Sequence, residues 1–367
     1  MNARERFIGA LTGTPIDRVP FMPVFGGPGK VTPAWEQQHP GLSSRIAQEL
    51  KFEGAGRGWL GLGVNTFLCG EPEATVLEED EERVIVQTGC GGVKRIQKKG
   101  DFHESNLVYP VRSRRDWLNL RSRFLDPEDE RRFPADWTEK CRLFQRRDYP
   151  LKLAIQGVYN SARMLMGDER LAYAFYDEPD LVHSMMECLT DLTLRIWEKT
   201  CRDVEQFDLI ESWEAFAYRS GCFVSPATFR EFIKPQYEKI AAFAKAHGIK
   251  ILLCDSHGFV ENLVELVLES GFTAMFPFEV QAGNDLDRVM DRYPDLGIIG
   301  GLDKGCMSKG KREIDQEIEK ARKLMARRGR YIPGPDYFPL SDVTYENYQY
   351  FSEQLRQTVL KSDVRLH

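Results

Sequence analysis

Ile249-Lys250-Ile251-Leu252-Leu253-Cys254-Asp255-Ser256-His257-Gly258 is the stretch that decides the fold. Ile249 to Leu253 is an apolar run of strand length. Beyond Gly258, Val260, Leu263, Val264, Leu266, Val267 and Leu268 recur at helical spacing. An acid and an imidazole therefore sit where a strand hands over to a helix, the edge at which parallel α/β proteins place their chemistry. Residues two apart on a strand share a face, so Asp255 and His257 are expected to converge on one proton or one metal ion.

The same strand-then-helix unit repeats around it. Strands are expected at 151–156, 207–211, 249–255, 274–278, 297–301 and 329–333. Amphipathic helices are expected at 179–200, 226–247, 260–270 and 311–327. That alternation implies a parallel sheet. Two earlier apolar segments, 19–25 and 60–68, bring the count to eight. A closed (β/α)8 TIM barrel spanning 1–367 as one α/β domain is the economical reading, with a doubly wound open sheet as the alternative. No Gly-x-Gly-x-x-Gly supports a dinucleotide version of the latter. The loop Gly26-Gly27-Pro28-Gly29 lacks phosphate-loop spacing and reads as a connection near the site. Between about 73 and 100 the alternation Thr75-Val-Leu77, Arg83-Val-Ile-Val86 and Val93-Lys-Arg-Ile96 predicts a small antiparallel meander. It is read as an insertion over the barrel mouth, with the acidic run 78–82 as a hairpin tip.

Bulk properties narrow the function. A chain of 367 residues with 42% hydrophobic content buries a large core, and its net charge of −6 with scattered basic residues gives no nucleic-acid footprint. Arg131-Arg132 and Arg146-Arg147 read as solvated helix faces. Eight dispersed cysteines without a Cys-x-x-Cys pair, no signal-like apolar start and no membrane-length run lead us to expect a cytoplasmic protein that stays off the membrane.

Reading the strand ends in turn gives the candidate site. They carry Tyr159, then Glu211, Trp213 and Glu214, then Asp255 and His257, then Glu279, then Asp303, then Asp336 and Tyr337. Five successive ends each hold a carboxylate, and acids crowded at one mouth repel unless a cation, a proton or a basic substrate relieves them. Helix capping or ion pairing accounts for any single one of them equally well. Asp255-x-His257 with Glu279 one strand later is harder to explain that way. Oxygen and imidazole donors suit zinc or a harder divalent ion, so Asp255, His257 and Glu279, completed by Asp336 or Tyr337, are the candidate metal ligands.

At these residues the chain resembles the uroporphyrinogen decarboxylase superfamily. The likeness is carried by Arg4-Glu-Arg-Phe7 with Pro15-Ile-Asp-Arg-Val-Pro20, by Trp213-Glu214-Ala-Phe-Ala-Tyr218, and by Ser225-Pro226 with Phe229-Arg230-Glu-Phe232. Gly271 with Pro277-Phe-Glu279, Gly300-Gly-Leu-Asp-Lys304 and Asp342-Val-Thr-Tyr-Glu346-Asn347 extend it over essentially the whole chain. It implies a (β/α)8 barrel with its site at the C-terminal mouth, a homodimer, and one of two chemistries: decarboxylation of a porphyrinogen, or methyl transfer involving a corrinoid protein or a thiol.

The decarboxylases carry an arginine motif after the first strand and an aspartate after the second. Here those places hold Phe25-Gly-Gly-Pro-Gly-Lys30 and Gly63-Val-Asn65-Thr-Phe67, and Tyr337 replaces a near-terminal histidine. The methyltransferases bind zinc through a His-x-Cys and a later Cys. This chain has Asp255-x-His257 and, near the end, Asp336 and Tyr337 instead. Glu279 falls where related methionine synthases add a glutamate. The cobalamin motif Asp-x-His-x-x-Gly is only half matched, because Val260 stands where its glycine belongs.

The resemblance therefore favours a methyltransferase of the O-demethylase type. It would take methyl from a small O- or N-methyl compound, methoxyaromatics among them, to a corrinoid on a separate protein. A metal ion, or a protonated His257 held by Asp255, would stabilise the leaving oxygen. Glu211 and Glu214 would orient the substrate, and Tyr159, Trp213 and Tyr218 would stack on it, with Asp303 and Tyr337 also contributing. A decarboxylase using Asp255 and His257 as proton donors, and a non-catalytic barrel binding a small molecule, are the alternatives.

Overall fold

The computed structural model describes residues 1–25, 30–98, 104–327, 330–339 and 341–361. The glycine-rich loop at 26–29, the end of the expected insertion at 99–100 and residue 329 of the last expected strand lie outside them.

Seven parallel strands form the central sheet: β1 (Leu60–Gly61), β6 (Leu151–Ile155), β7 (Leu209–Glu214), β10 (Ile251–Ser256), β11 (Ala274–Pro277), β12 (Gly297–Leu302) and β13 (Arg330–Pro335), in that spatial order. From β6 onward their Leu, Ile, Met and Phe side chains are buried, as expected where helices cover a parallel sheet. Helices Val158–Met166, Asp168–Asp177 and Pro179–Asp203 separate β6 from β7. Lys234–Ala246, Val264–Glu269, Leu286–Arg292 and Lys311–Ala326 fill the later crossovers, and Tyr345–Leu360 follows β13. The sheet is curled and of the TIM-barrel type. Among the described residues no helix is long and apolar enough to cross a membrane.

Two of the eight expected strands differ. Residues 60–68 form a ladder only at Leu60–Gly61, and the rest is loop. Residues 19–25 form no strand. Pro20 and Pro23 have no N–H to give to a ladder. The segment nevertheless occupies the eighth place. A Cβ on Gly334 of β13 would lie 2.4 Å from the Val24 side chain, and one on Gly58, just before β1, would lie 2.9 Å from the Pro23 carbonyl. Val19, Phe21, Met22 and Val24 are buried. The Glu53 carboxylate fixes the segment, accepting from the Phe21 N–H at 3.0 Å and from Arg6 and Arg18.

The meander has four antiparallel strands: β2 (Thr75–Glu79), β3 (Arg83–Gln87), β4 (Val93–Gln97) and β5 (Glu104–Val108). The polar fourth strand lies beyond the expected end of the insertion. Asp80 turns the acidic tip by accepting from the N–H groups of Glu82 and Arg83. A short hairpin, β8 (Ala217–Tyr218) and β9 (Gly221–Cys222), follows β7.

Candidate active site

β10 delivers Asp255 near its C-terminal end, in register with Trp213 of β7 and Phe276 of β11. The chain then turns at Gly258, whose φ of 84° and closeness to the Tyr218 carbonyl, 2.7 Å from any added Cβ, admit only glycine. The turn swings His257 back toward β11. Its Nδ1–H donates to Glu279 Oε1 at 3.0 Å, and its Nε2 stands 3.7 Å from Asp255 Oδ1. The Gly258 N–H donates to the other Glu279 oxygen at 3.3 Å. Asp255, His257 and Glu279 are thus brought together, with Phe25 and Tyr337 packed on the imidazole.

The protonation states follow from these surroundings. Burial, reinforced by the nearby charge of Glu211, pushes the Asp255 carboxyl up to about 7. Its Oδ1 is buried and has no hydrogen-bond partner. Burial works against a charged His257, but the hydrogen bond to Glu279 and the charge of Asp255 outweigh it and raise the imidazole above its ordinary value. The same hydrogen bond holds Glu279 below the usual carboxylate range.

Asp255 and Glu211 line two adjoining cavities of about 400 and 320 Å³, the size of small-molecule sites. The first is walled by Val64, Asn65, Thr66 and Phe67, with Gln156 and Trp213. The second reaches Phe25, Trp59, Lys152 and Phe276. Glu211 faces the lumen with one oxygen on the Trp59 indole N–H at 2.5 Å and the other on Lys152. Of the acid–imidazole–acid trio only Asp255 touches these cavities; His257 stands behind it.

The remaining expected residues are placed variously. Trp213, Tyr218 and Tyr337 are 48, 50 and 43% exposed, and of these Trp213 lines a cavity. Glu214 points the other way. It accepts from the N–H groups of Val158, Tyr159 and Asn160 at the start of helix Val158–Met166, and from the Tyr237 hydroxyl. Burial pushes it up to about 7 against the pull of those donors. Tyr159 is buried against Phe216. Asp303 accepts from Gln281 and from the Gly305 N–H. Asp336 is fully buried, with its oxygens on the N–H groups of Val280 and Lys304.

These placements bear on the metal. Glu279 is engaged by His257 and Gly258, and Asp336 by backbone. Among the described residues no group of three or more His, Cys, Asp or Glu side chains is arranged to hold a metal ion. The donors as placed do not fit zinc.

Lys152 and Trp59 were not anticipated. A signal existed for the first: in Leu151-Lys-Leu-Ala-Ile155 the lysine alternates with buried leucines, so it faces the lumen. Arg132, expected on a solvated face, is 1% exposed. Its guanidinium donates to the carbonyls of Asn65, Phe67, Phe124 and Asp126 and so holds the loop that walls the first cavity. Arg147, likewise expected in solvent, is buried against Asp208.

With the barrel and its mouth defined, comparison with known proteins supplies the class. Residues 106–357 match the family described as Uroporphyrinogen decarboxylase (URO-D). The chain belongs to that family, as its motifs led us to expect. A methyltransferase from Methanosarcina mazei superposes with a TM-score of 0.62 at 15% sequence identity, covering 97% of this chain and 99% of that one. At that identity the likeness speaks for the fold. Comparison with functionally curated proteins returns no match.

Proposed function

We propose that this barrel removes a methyl group from a small O-methylated compound, a methoxyaromatic above all, and passes it to a corrinoid carried by a separate protein. The observation that carries the reading is Asp255: a buried carboxyl, its Oδ1 without a partner, at the junction of two small cavities with aromatic walls. The cations lining those cavities are Arg57 and Lys152, and Lys152 is already paired with Glu211. A porphyrinogen with many carboxylates would need more. The Methanosarcina neighbour is a methyltransferase, which agrees with methyl transfer.

The chemistry asked of this chain is leaving-group stabilisation. The reduced corrinoid of the partner would supply the nucleophile. As the methyl–oxygen bond breaks, its electron pair stays on the ether oxygen, which becomes a phenolate. Asp255, protonated near neutrality, donates to that oxygen. His257, fixed through Nδ1 by Glu279, returns the proton to Asp255 and is the positioning residue of the pair. Trp213, Phe25, Trp59 and Phe276 offer faces and edges to an aromatic ring.

The test is to incubate the protein with a methoxybenzene and a reduced corrinoid protein, and separately with uroporphyrinogen. Release of the phenol in the first and no carbon dioxide in the second is expected. The reverse would establish decarboxylation, the second reading, which the family name and the protonated Asp255 favour. Neither product would leave a binding barrel.

A further inference from the structure

A second hollow, wider than either lumen cavity, lies beside the candidate site. A groove of about 1040 Å³ runs between residues 60–63 and the stretch 139–149, and shares Arg57, Leu60 and Gly61 with the deeper lumen cavity. The two hollows therefore adjoin at β1.

The groove is basic on a chain of net charge −6. Five cationic side chains line it against two acids, Glu139 and Asp148. Lys140 is held by Asp136, and Arg147 by an Asp208 that also serves Arg4. Arg57, Arg142 and Arg146 have no carboxylate partner among the described residues. The Arg57 guanidinium lies 4.9 Å from the Tyr149 ring centre. Arg147 is 4% exposed, and its Nε–H is buried with no acceptor. Between the charges the lining is apolar, with an exposed Leu143 and the buried Leu62 and Tyr149.

We propose that this groove is a second ligand site, for an organic anion with a flat apolar body. Its carboxylate, sulfonate or phosphate group pairs with Arg142 and Arg146, and its body lies on Leu143 and Tyr149. Unpaired guanidinium groups favour oxyanions that can accept two parallel N–H bonds, and the volume lies at the upper end of small-molecule sites. The proposal goes beyond the methyl-transfer reading and does not depend on it.

The probe is 8-anilino-1-naphthalenesulfonate, titrated against the full chain and followed by fluorescence, with N-phenyl-1-naphthylamine as its uncharged counterpart. Arg142 and Arg146 are exposed, so Arg142→Glu/Arg146→Glu is expected to keep the wild-type melting temperature. The sulfonate should saturate a single site and bind the double variant roughly tenfold or more weakly. The uncharged dye should bind the wild type more weakly than the sulfonate. Asp255→Ala should bind the sulfonate like the wild type, which places the dye outside the lumen. Equal binding of the sulfonate by the double variant, equal binding of the two dyes, no saturable binding, or loss of binding in Asp255→Ala would each overturn the proposal.

Discussion

Asp255 carries the chemistry in this account, and two measurements isolate it. If it donates to the leaving oxygen, Asp255→Ala should lower phenol release by roughly 10²–10⁴-fold while the protein stays folded. His257→Ala should reduce the rate less, since His257 acts through Asp255. Equal loss in both would instead make the imidazole the donor. Burial also couples Asp255 to stability. Its folded value, about 7, lies above its ordinary 3.8, so between those values the folded protein binds more protons than the unfolded chain. Stability contributed by the protonated acid is therefore full below about 4 and is lost as pH rises toward 7. Urea denaturation across that range should show the decline, on the order of a few kcal/mol, and Asp255→Asn should make it shallower, leaving the like share contributed by Glu214. An unchanged slope in the variant would mean that Asp255 titrates normally. The closeness of Asp255 and His257 was legible only in part, because the strand fixes the direction of Asp255 but ends at Ser256, and the turn after it brings the imidazole back to 3.7 Å. The turn of Glu214 away from the lumen was not legible, because it depends on which helix start lies opposite.

At the scale of elements, Glu214 shows how a strand-end carboxylate serves the scaffold. Three consecutive N–H groups of helix Val158–Met166 and the Tyr237 hydroxyl converge on it. Glu214→Ala should leave them without an acceptor and cost roughly 3–5 kcal/mol in urea denaturation. A variant of wild-type stability that had lost activity would return Glu214 to the active site. Residues 19–25 and 60–68 read as strands because their apolar content is that of strands. Whether such a run enters a ladder depends on its N–H groups. Two prolines remove them from the first, and after Gly61 the second is held as a loop by Arg132. That buried arginine carried no sequence signal: beside Arg131 it resembles an ordinary surface pair, and two of its four acceptors are the carbonyls of Asn65 and Phe67, distant in the chain. The polar strand Glu104–Val108 escaped notice for a related reason, since its place is set by pairing with β4 and not by a buried face.

For the whole molecule, the alternation of strands and helices from residue 151 onward was enough to show a parallel sheet, and the two earlier apolar segments made a closed barrel the economical reading. Spacing alone conveys that a parallel sheet is being wound. What spacing does not convey is the inside of the ring. The lumen holds the Lys152–Glu211 pair, the Trp59 indole and the unpartnered oxygen of Asp255, assembled from strands far apart in sequence. The central claim is that a methylated aromatic sits there with its oxygen on Asp255. The most direct test is a crystal structure of the protein with the demethylated phenol bound. The phenolic oxygen is expected within hydrogen-bonding distance of an Asp255 oxygen, with the ring among Trp59, Trp213 and Phe276. A phenol bound elsewhere, or Asp255 turned away from the two cavities, would contradict it.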